Sequence, residues 1–160
     1  MCAKAVALAA RPEGMPKTSD FQIVDIESDD PADGEIQVKN ICMSVDPYMR
    51  GRMVDRKSYV PPFQIGEPLT GGAIGKVIKS AHPDFKEGDF VSSHWGWRDG
   101  FTARAEGIER LGEIVAPASE YLGAIGMPGM TAYAGLLEVG ALKDGETVFV
   151  SGAAGAVGSI

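Results

Sequence analysis

Cysteine and histidine are scarce in this 160-residue chain, at two residues each. Cys2 and Cys42 are not closely spaced and have no secretory context, so no disulfide framework is expected. Excess positive charge is missing as well. A formal net charge of −7 leaves no basic stripe to displace counterions, which argues against a nucleic-acid partner. Long apolar runs are also lacking, since no stretch approaches the ~20 residues of a membrane helix. The opening "MCAKAVALAAR" has a single lysine, a short apolar run and no cleavage region. Neither secretion nor a membrane partner is expected, and a cytoplasmic protein is the default.

What is present is a foldable core with frequent punctuation. Apolar residues make up 44% and aromatics 8%, enough to pack an interior. The 21 glycines and 10 prolines are spread along the chain, which implies short strands joined by tight turns. Strands are expected at "KAVALAA" (4–10), "FQIVDIE" (21–27), "EIQVKNICMSV" (35–45), within "PLTGGAIGKVIKS" (68–80), after the turn "KEGD", and at "GFTARAE" (100–106) and "ERLGEIV" (109–115). About seven strands with turns every 8–12 residues describe a β-barrel or sandwich. In the third segment Ile36 and Val38 share one parity, whereas Ile41, Met43 and Val45 share the other. That phase slip near Asn40 predicts a β-bulge.

The pattern changes near "APASEYLG" (116–123). Tyr121, Leu122, Ile125, Met130, Tyr133, Leu136 and Leu137 recur at helical spacing, with Pro117 and Pro128 near the starts of two helices and Gly140 ending the second. "LKDGETVFV" is expected to form a turn and a buried strand. It leads into "SGAAGAVG", with Gly152, Gly155 and Gly158 at three-residue intervals. Glycine at 155 would let the backbone approach a pyrophosphate, and glycine at 158 would let a following helix pack closely. The competing reading of the spacing is a plain glycine-rich turn. A parallel strand needs neighbours and covering helices, so residues 146–160 read as the beginning of a larger domain and the chain as an N-terminal fragment.

The segments "SVDPYMRGRMVDRKSYVPPFQIGEPLTGGAIGKV", "FKEGDFV" and "YLGAIGMPGMTAYAGLLEVGALKDGETVFVSGAAGAVGS" together resemble the medium-chain dehydrogenase/reductase superfamily. More narrowly they resemble its zinc-independent double-bond reductases, the prostaglandin, plant alkenal and bacterial curcumin reductases. The resemblance implies a mainly β fold: a GroES-like β-barrel substrate domain over 1–118, then connecting helices and the start of a truncated Rossmann domain over 119–160. It implies NADPH as cofactor and hydride transfer to the β-carbon of an α,β-unsaturated ketone or aldehyde. It also implies a cytoplasmic homodimer for the full-length protein. The chain alone is expected to be inactive, because much of the adenosine pocket would lie beyond Ile160. Two alternatives stand beside this reading, a quinone oxidoreductase of the same superfamily and a self-contained, non-catalytic GroES-like binding module.

The resemblance also nominates residues. Tyr48 is the catalytic candidate, its phenol placed to hydrogen-bond a substrate oxygen as enolate charge develops. Its alternative is a half-buried aromatic whose hydroxyl is satisfied by backbone. Tyr48, Met49 and Tyr59 are the substrate-binding candidates, Tyr59 lying in a loop stiffened by Pro61 and Pro62. Met130, Thr131, Ala154, Gly155, Ala156, Val157 and Gly158 are the cofactor-binding candidates. Asp46 is expected to cap a short helix beginning at Pro47 or Tyr48. Arg50 and Arg52 are expected in surface ion pairs or near cofactor phosphate, and Trp95 and Trp97 in packing. No metal site is expected, because Cys2, Cys42, His82 and His94 are not paired at ligand spacing.

Overall fold

A computed structural model describes residues 2–160. The chain divides into two compact units, Met1–Ile114 and Val115–Ile160. The first is built on seven strands: β1 (Cys2–Leu8), β2 (Phe21–Glu27), β3 (Glu35–Met43), β4 (Ala73–Ser80), β5 (Phe90–Ser93), β6 (Gly100–Arg104) and β7 (Glu109–Gly112). β1 and β2 form an antiparallel pair, while the others form an antiparallel sheet in the order β6-β3-β4-β5-β7. Bridges at Ala5–Arg98 and Ala7–Pro68 tie β1 to the segments that flank the larger sheet. The unit is mainly β, as the alternation and turn spacing imply.

β3 carries the predicted irregularity. Its register against β4 shifts between Asn40 and Cys42, leaving Ile41 as the extra residue, and shifts again between Gln37 and Val38. The second slip leaves Ile78 of β4 as the extra residue, so β3 keeps its alternation there: Ile36 and Val38 enter the core, and Gln37 is buried on the opposite face. Gln37 tolerates its burial because its Nε2 donates to the carbonyl oxygens of Ser28 and Asp29, each at 3.0 Å. Asn40 Nδ2 donates to the carbonyls of Trp95 and Arg98, both at 2.8 Å, and so pins the corner between β5 and β6. Trp95 stacks on Phe101 at that corner, with ring centroids 5.4 Å apart.

Two apolar clusters fill this unit. One gathers Ile36, Val38, Val77, Val91 and Phe101 between the strands of the larger sheet. The other gathers Leu8, Met49, Met53, Phe63 and Leu69, beneath a short helix α1 (Pro47–Arg52).

The second unit has a 3₁₀ turn over Ala118–Leu122 and a helix α2 (Met127–Tyr133), which runs into a π-helical stretch, Ala134–Val139, closed by Gly140. Pro128 sits in the first turn of α2, as expected. The expected buried strand in "LKDGETVFV" is not formed. Residues 146–150 pair with no strand, and Phe149 is 89% exposed. The reason is physical: a β-branched run gains its hydrogen bonds and its burial from neighbouring strands, and the described residues offer it none. The helical apolar residues share that lack of cover, since Gly129 alone is buried in this unit.

Candidate functional site

The candidate site grows from six residues. Asp46 is extended (φ −112°, ψ 148°) and Pro47 follows it at the first helical position, where the missing N–H costs nothing. Ser44 Oγ donates to Asp46 Oδ2 at 2.6 Å and steadies the entry to α1. One turn of helix then sorts its side chains by face. Met49 and Met53, four apart, point into the second core cluster, whereas Tyr48 and Arg52, also four apart, lie along a cleft. That cleft has a volume of about 540 Å³, with walls formed by α1 and by the segment that includes Val54, Arg56, Ser58, Tyr59 and Val60.

Tyr48 is 36% exposed, and its hydroxyl has no hydrogen-bond partner among the described residues. The alternative of a phenol satisfied by backbone is therefore not what the fold provides. Partial burial raises its pKa above the ordinary tyrosine value. Asp46 and Tyr59 add to that rise and Arg52 opposes it. A raised pKa keeps the phenol neutral, and thus a proton donor, to higher pH than a free tyrosine at about 10. Spectrophotometric titration of tyrosinate, as the difference between the native protein and Tyr48→Phe, should show this group ionising above that value. A midpoint below 10 would contradict the environment described.

Tyr59 shares the cleft with Tyr48 and is 86% exposed, so these two nominated residues do come together. Met49 requires a correction. It is only 3% exposed and packs with Leu8, Phe63 and Leu69, supporting the cleft from beneath rather than facing a substrate. Its position next to Tyr48 in sequence is misleading because adjacent helical residues point about 100° apart.

Arg50 and Arg52 also depart from expectation, for among the described residues neither forms an ion pair. Arg50 Nη2 donates to the Gly14 carbonyl at 2.7 Å. Arg52 donates from Nε to the Pro61 carbonyl and from Nη1 to Thr70 Oγ1, both at 2.9 Å, and its guanidinium lies 4.0 Å over the Phe63 ring. It clamps α1 to the far wall of the cleft. Spacing alone, four residues from Tyr48, was the available signal for that role. Arg56 and Ser58, both lining the cleft, were not singled out, since nothing local in "DRKSY" distinguishes them.

In the second unit, Met130 is 66% exposed, and the Thr131 hydroxyl donates back to the Met127 carbonyl at 2.7 Å. In the glycine loop, Gly155 N–H donates to the Gly152 carbonyl at 2.8 Å, and Ser159 N–H donates to the Gly155 carbonyl at 3.0 Å. A Cβ at position 158 would stand 2.2 Å from the Gly152 oxygen, so only glycine allows this close return of the chain. Ala154, Ala156 and Val157 keep their N–H groups without protein partners among the described residues. Free amides at 154, 156 and 157, on either side of the committed Gly155 N–H, are donors that could meet a phosphate-bearing group. Among the described residues, no three His, Cys, Asp or Glu side chains gather as metal ligands would.

The first unit thus combines antiparallel sheets with a tyrosine-walled cleft along a short helix, and the second carries a glycine-rich loop. Residues 4–111 match the family model described as the N-terminal domain of oxidoreductase, and the chain belongs to that family, within the medium-chain dehydrogenase/reductases. Among individual proteins, it is 41% identical to the NADPH-dependent curcumin reductase of Escherichia coli over 95% of this chain and 44% of that protein. It is 44% identical to the NADP(+)-dependent 2-alkenal reductase of Nicotiana tabacum over 98% of this chain and 47% of that protein. Among solved structures, CurA from Vibrio vulnificus in complex with NADPH superposes with a TM-score of 0.88 at 41% identity, covering 98% of this chain and 46% of that one. The chain thus spans a little under half the length of the curated relatives it matches.

Proposed function

We infer that this chain supplies the substrate cleft and the first part of the cofactor site of an NADPH-dependent reductase acting on the carbon–carbon double bond of α,β-unsaturated ketones and aldehydes. The observation that carries the reading is Tyr48, a phenol kept protonated at the wall of a cleft, with its hydroxyl uncommitted. The names of the curcumin and alkenal reductases, and the NADPH in the CurA structure, support the cofactor and reaction class.

NADPH, when bound, would supply the hydride that the β-carbon receives. The protein's part is to hold the substrate and receive the displaced charge. Tyr48 Oη donates a hydrogen bond to the carbonyl oxygen, and that bond strengthens as the electron pair of the double bond moves toward oxygen. A proton taken from water by the α-carbon then completes a saturated carbonyl compound. Tyr59 encloses the other side of the substrate from its proline-stiffened segment. The amides of Ala154, Ala156 and Val157 would hold the pyrophosphate, with Gly155 and Gly158 keeping the loop bare. Met130 and Thr131 are assigned to the nicotinamide end on the strength of the "GMPGMTAY" motif. The scheme uses no metal ligand.

The test is the NADPH-dependent loss of enone absorbance by the full protein across alkenals, enones and quinones. Turnover of the first two classes is expected. Silence across the whole panel would remove the proposal, and turnover of quinones alone would move it to a quinone oxidoreductase. In the same reading the full protein acts as a cytoplasmic homodimer; among the described residues, no helix is long and apolar enough to cross a membrane.

A further inference from the structure

Residues 54–62 leave the core and return to it at one place. Met53 and Phe63, which flank them, are 6% and 4% exposed and belong to the same apolar cluster. Between these anchors the chain forms no helix or strand. A short surface excursion with joined ends is an Ω loop. Arg11 ties its first limb, through the Met53 carbonyl at 3.1 Å and Asp55 at 3.8 Å. Arg52 closes the neck on the other side, and does so twice. Its carbonyl accepts from the Phe63 N–H at 2.7 Å, and its Nε donates to the Pro61 carbonyl at 2.9 Å. The guanidinium is itself fixed, since Nη1 donates to Thr70 Oγ1 and the group lies over the Phe63 ring.

The tip of the loop has no such ties. Residues 57–60 make no hydrogen bond or ion pair among the described residues, and Tyr59 is 86% exposed along the cleft. Tyr59 therefore takes its position from the stem that carries it. That stem is stiff, because Pro61 and Pro62 have a locked φ and Val60, preceding a proline, is confined to extended backbone. A grip on the Pro61 carbonyl is thus transmitted to the phenol.

We propose that Arg52 is a positioning residue: by holding the neck of this loop it sets Tyr59 along the cleft and so governs substrate affinity. This rests on the reductase reading of the same cleft. Without the grip the stem pivots as a unit, and only a fraction of the molecules present Tyr59 correctly. Apparent affinity falls by that fraction, while the complex that does form reacts as before. No proton or electron moves at Arg52.

Steady-state kinetics of the full protein with a simple enone, paired with trypsin digestion, test this. Arg52→Met is expected to raise KM about fivefold and to change kcat by less than about twofold. Arg52→Lys, which keeps a charged donor near the Phe63 ring, should recover part of the loss. In a Tyr59→Ala background Arg52→Met should add nothing further, the coupling expected when one residue acts through the other. Cleavage after Arg56 and Lys57, both exposed, should quicken in Arg52→Met while the rest of the chain stays intact. An unchanged KM, or the same effect with and without Tyr59, overturns the inference and leaves the reductase reading intact. A fall in kcat at constant KM overturns it too, by placing Arg52 with the chemistry. Unchanged cleavage removes the neck. Silence of the wild-type protein toward every enone overturns both readings.

Discussion

Replacing Tyr48 with phenylalanine is expected to lower kcat about a hundredfold while KM changes little. The loss is that of a single hydrogen-bond donor aimed at developing oxyanion charge, on the order of 2.7 kcal/mol of transition-state stabilisation. It should appear equally in kcat and kcat/KM, because a neutral carbonyl oxygen gains less from the phenol than an enolate does. Stability should barely change, since the hydroxyl has no partner within the described residues to lose. Steady-state assays on the full protein with a simple enone decide the point. A decrease of less than fivefold would mean that water donates the hydrogen bond equally well, and Tyr48 would then be a wall and not a catalytic residue.

The second large effect concerns the floor of the cleft. Phe63→Ala should destabilise the protein by about 3–5 kcal/mol, the usual cost of deleting a buried aromatic ring. Phe63 is 4% exposed and touches the cluster of Leu8, Met49, Met53 and Leu69. It also carries the Arg52 guanidinium over its face, and its N–H donates to the Arg52 carbonyl at 2.7 Å. A domain whose whole stability is about 5–15 kcal/mol would lose a large fraction of it. Urea denaturation measures the shift, with Phe63→Leu as the companion. Leucine refills most of the volume but offers no π-face, so the difference between the two variants separates packing from the arginine contact. A loss below about 1 kcal/mol for Phe63→Ala would show that the cluster collapses around the gap, and that α1 does not depend on it.

The two experiments bear on different levels of one local structure. Tyr48 and Met49 are consecutive, yet one faces the cleft and the other the core. The motif "DPYMRGR" announced the short helix through Asp46 and Pro47, and it announced Tyr48 through resemblance. It did not show that Met49 would be consumed by packing, nor that Arg52 would bond the Pro61 carbonyl and the Thr70 hydroxyl. Arg56 was silent for the same reason, since only the fold places it along the cleft.

The far end of the chain shows the opposite balance. The spacing of "SGAAGAVG" pointed to a phosphate loop or a plain glycine-rich turn, and the approach of the Gly152 oxygen to position 158 explains why no larger residue serves there. The preceding "TVFV" carries strong strand propensity and still forms no strand, because propensity without partners yields no ladder.

What the residues determined unaided was whatever depends on near neighbours along the chain: seven short strands, the bulge after Asn40, the helix start at Pro47 and the bare glycine loop. Proline's locked φ, glycine's missing Cβ and the two-residue strand period act within a few bonds, so they can be read directly. Only the tertiary structure decided which side of α1 is wet, what the arginines hold and whether 146–150 pairs at all. Those outcomes turn on contacts between residues tens of positions apart, whose energies no local pattern contains.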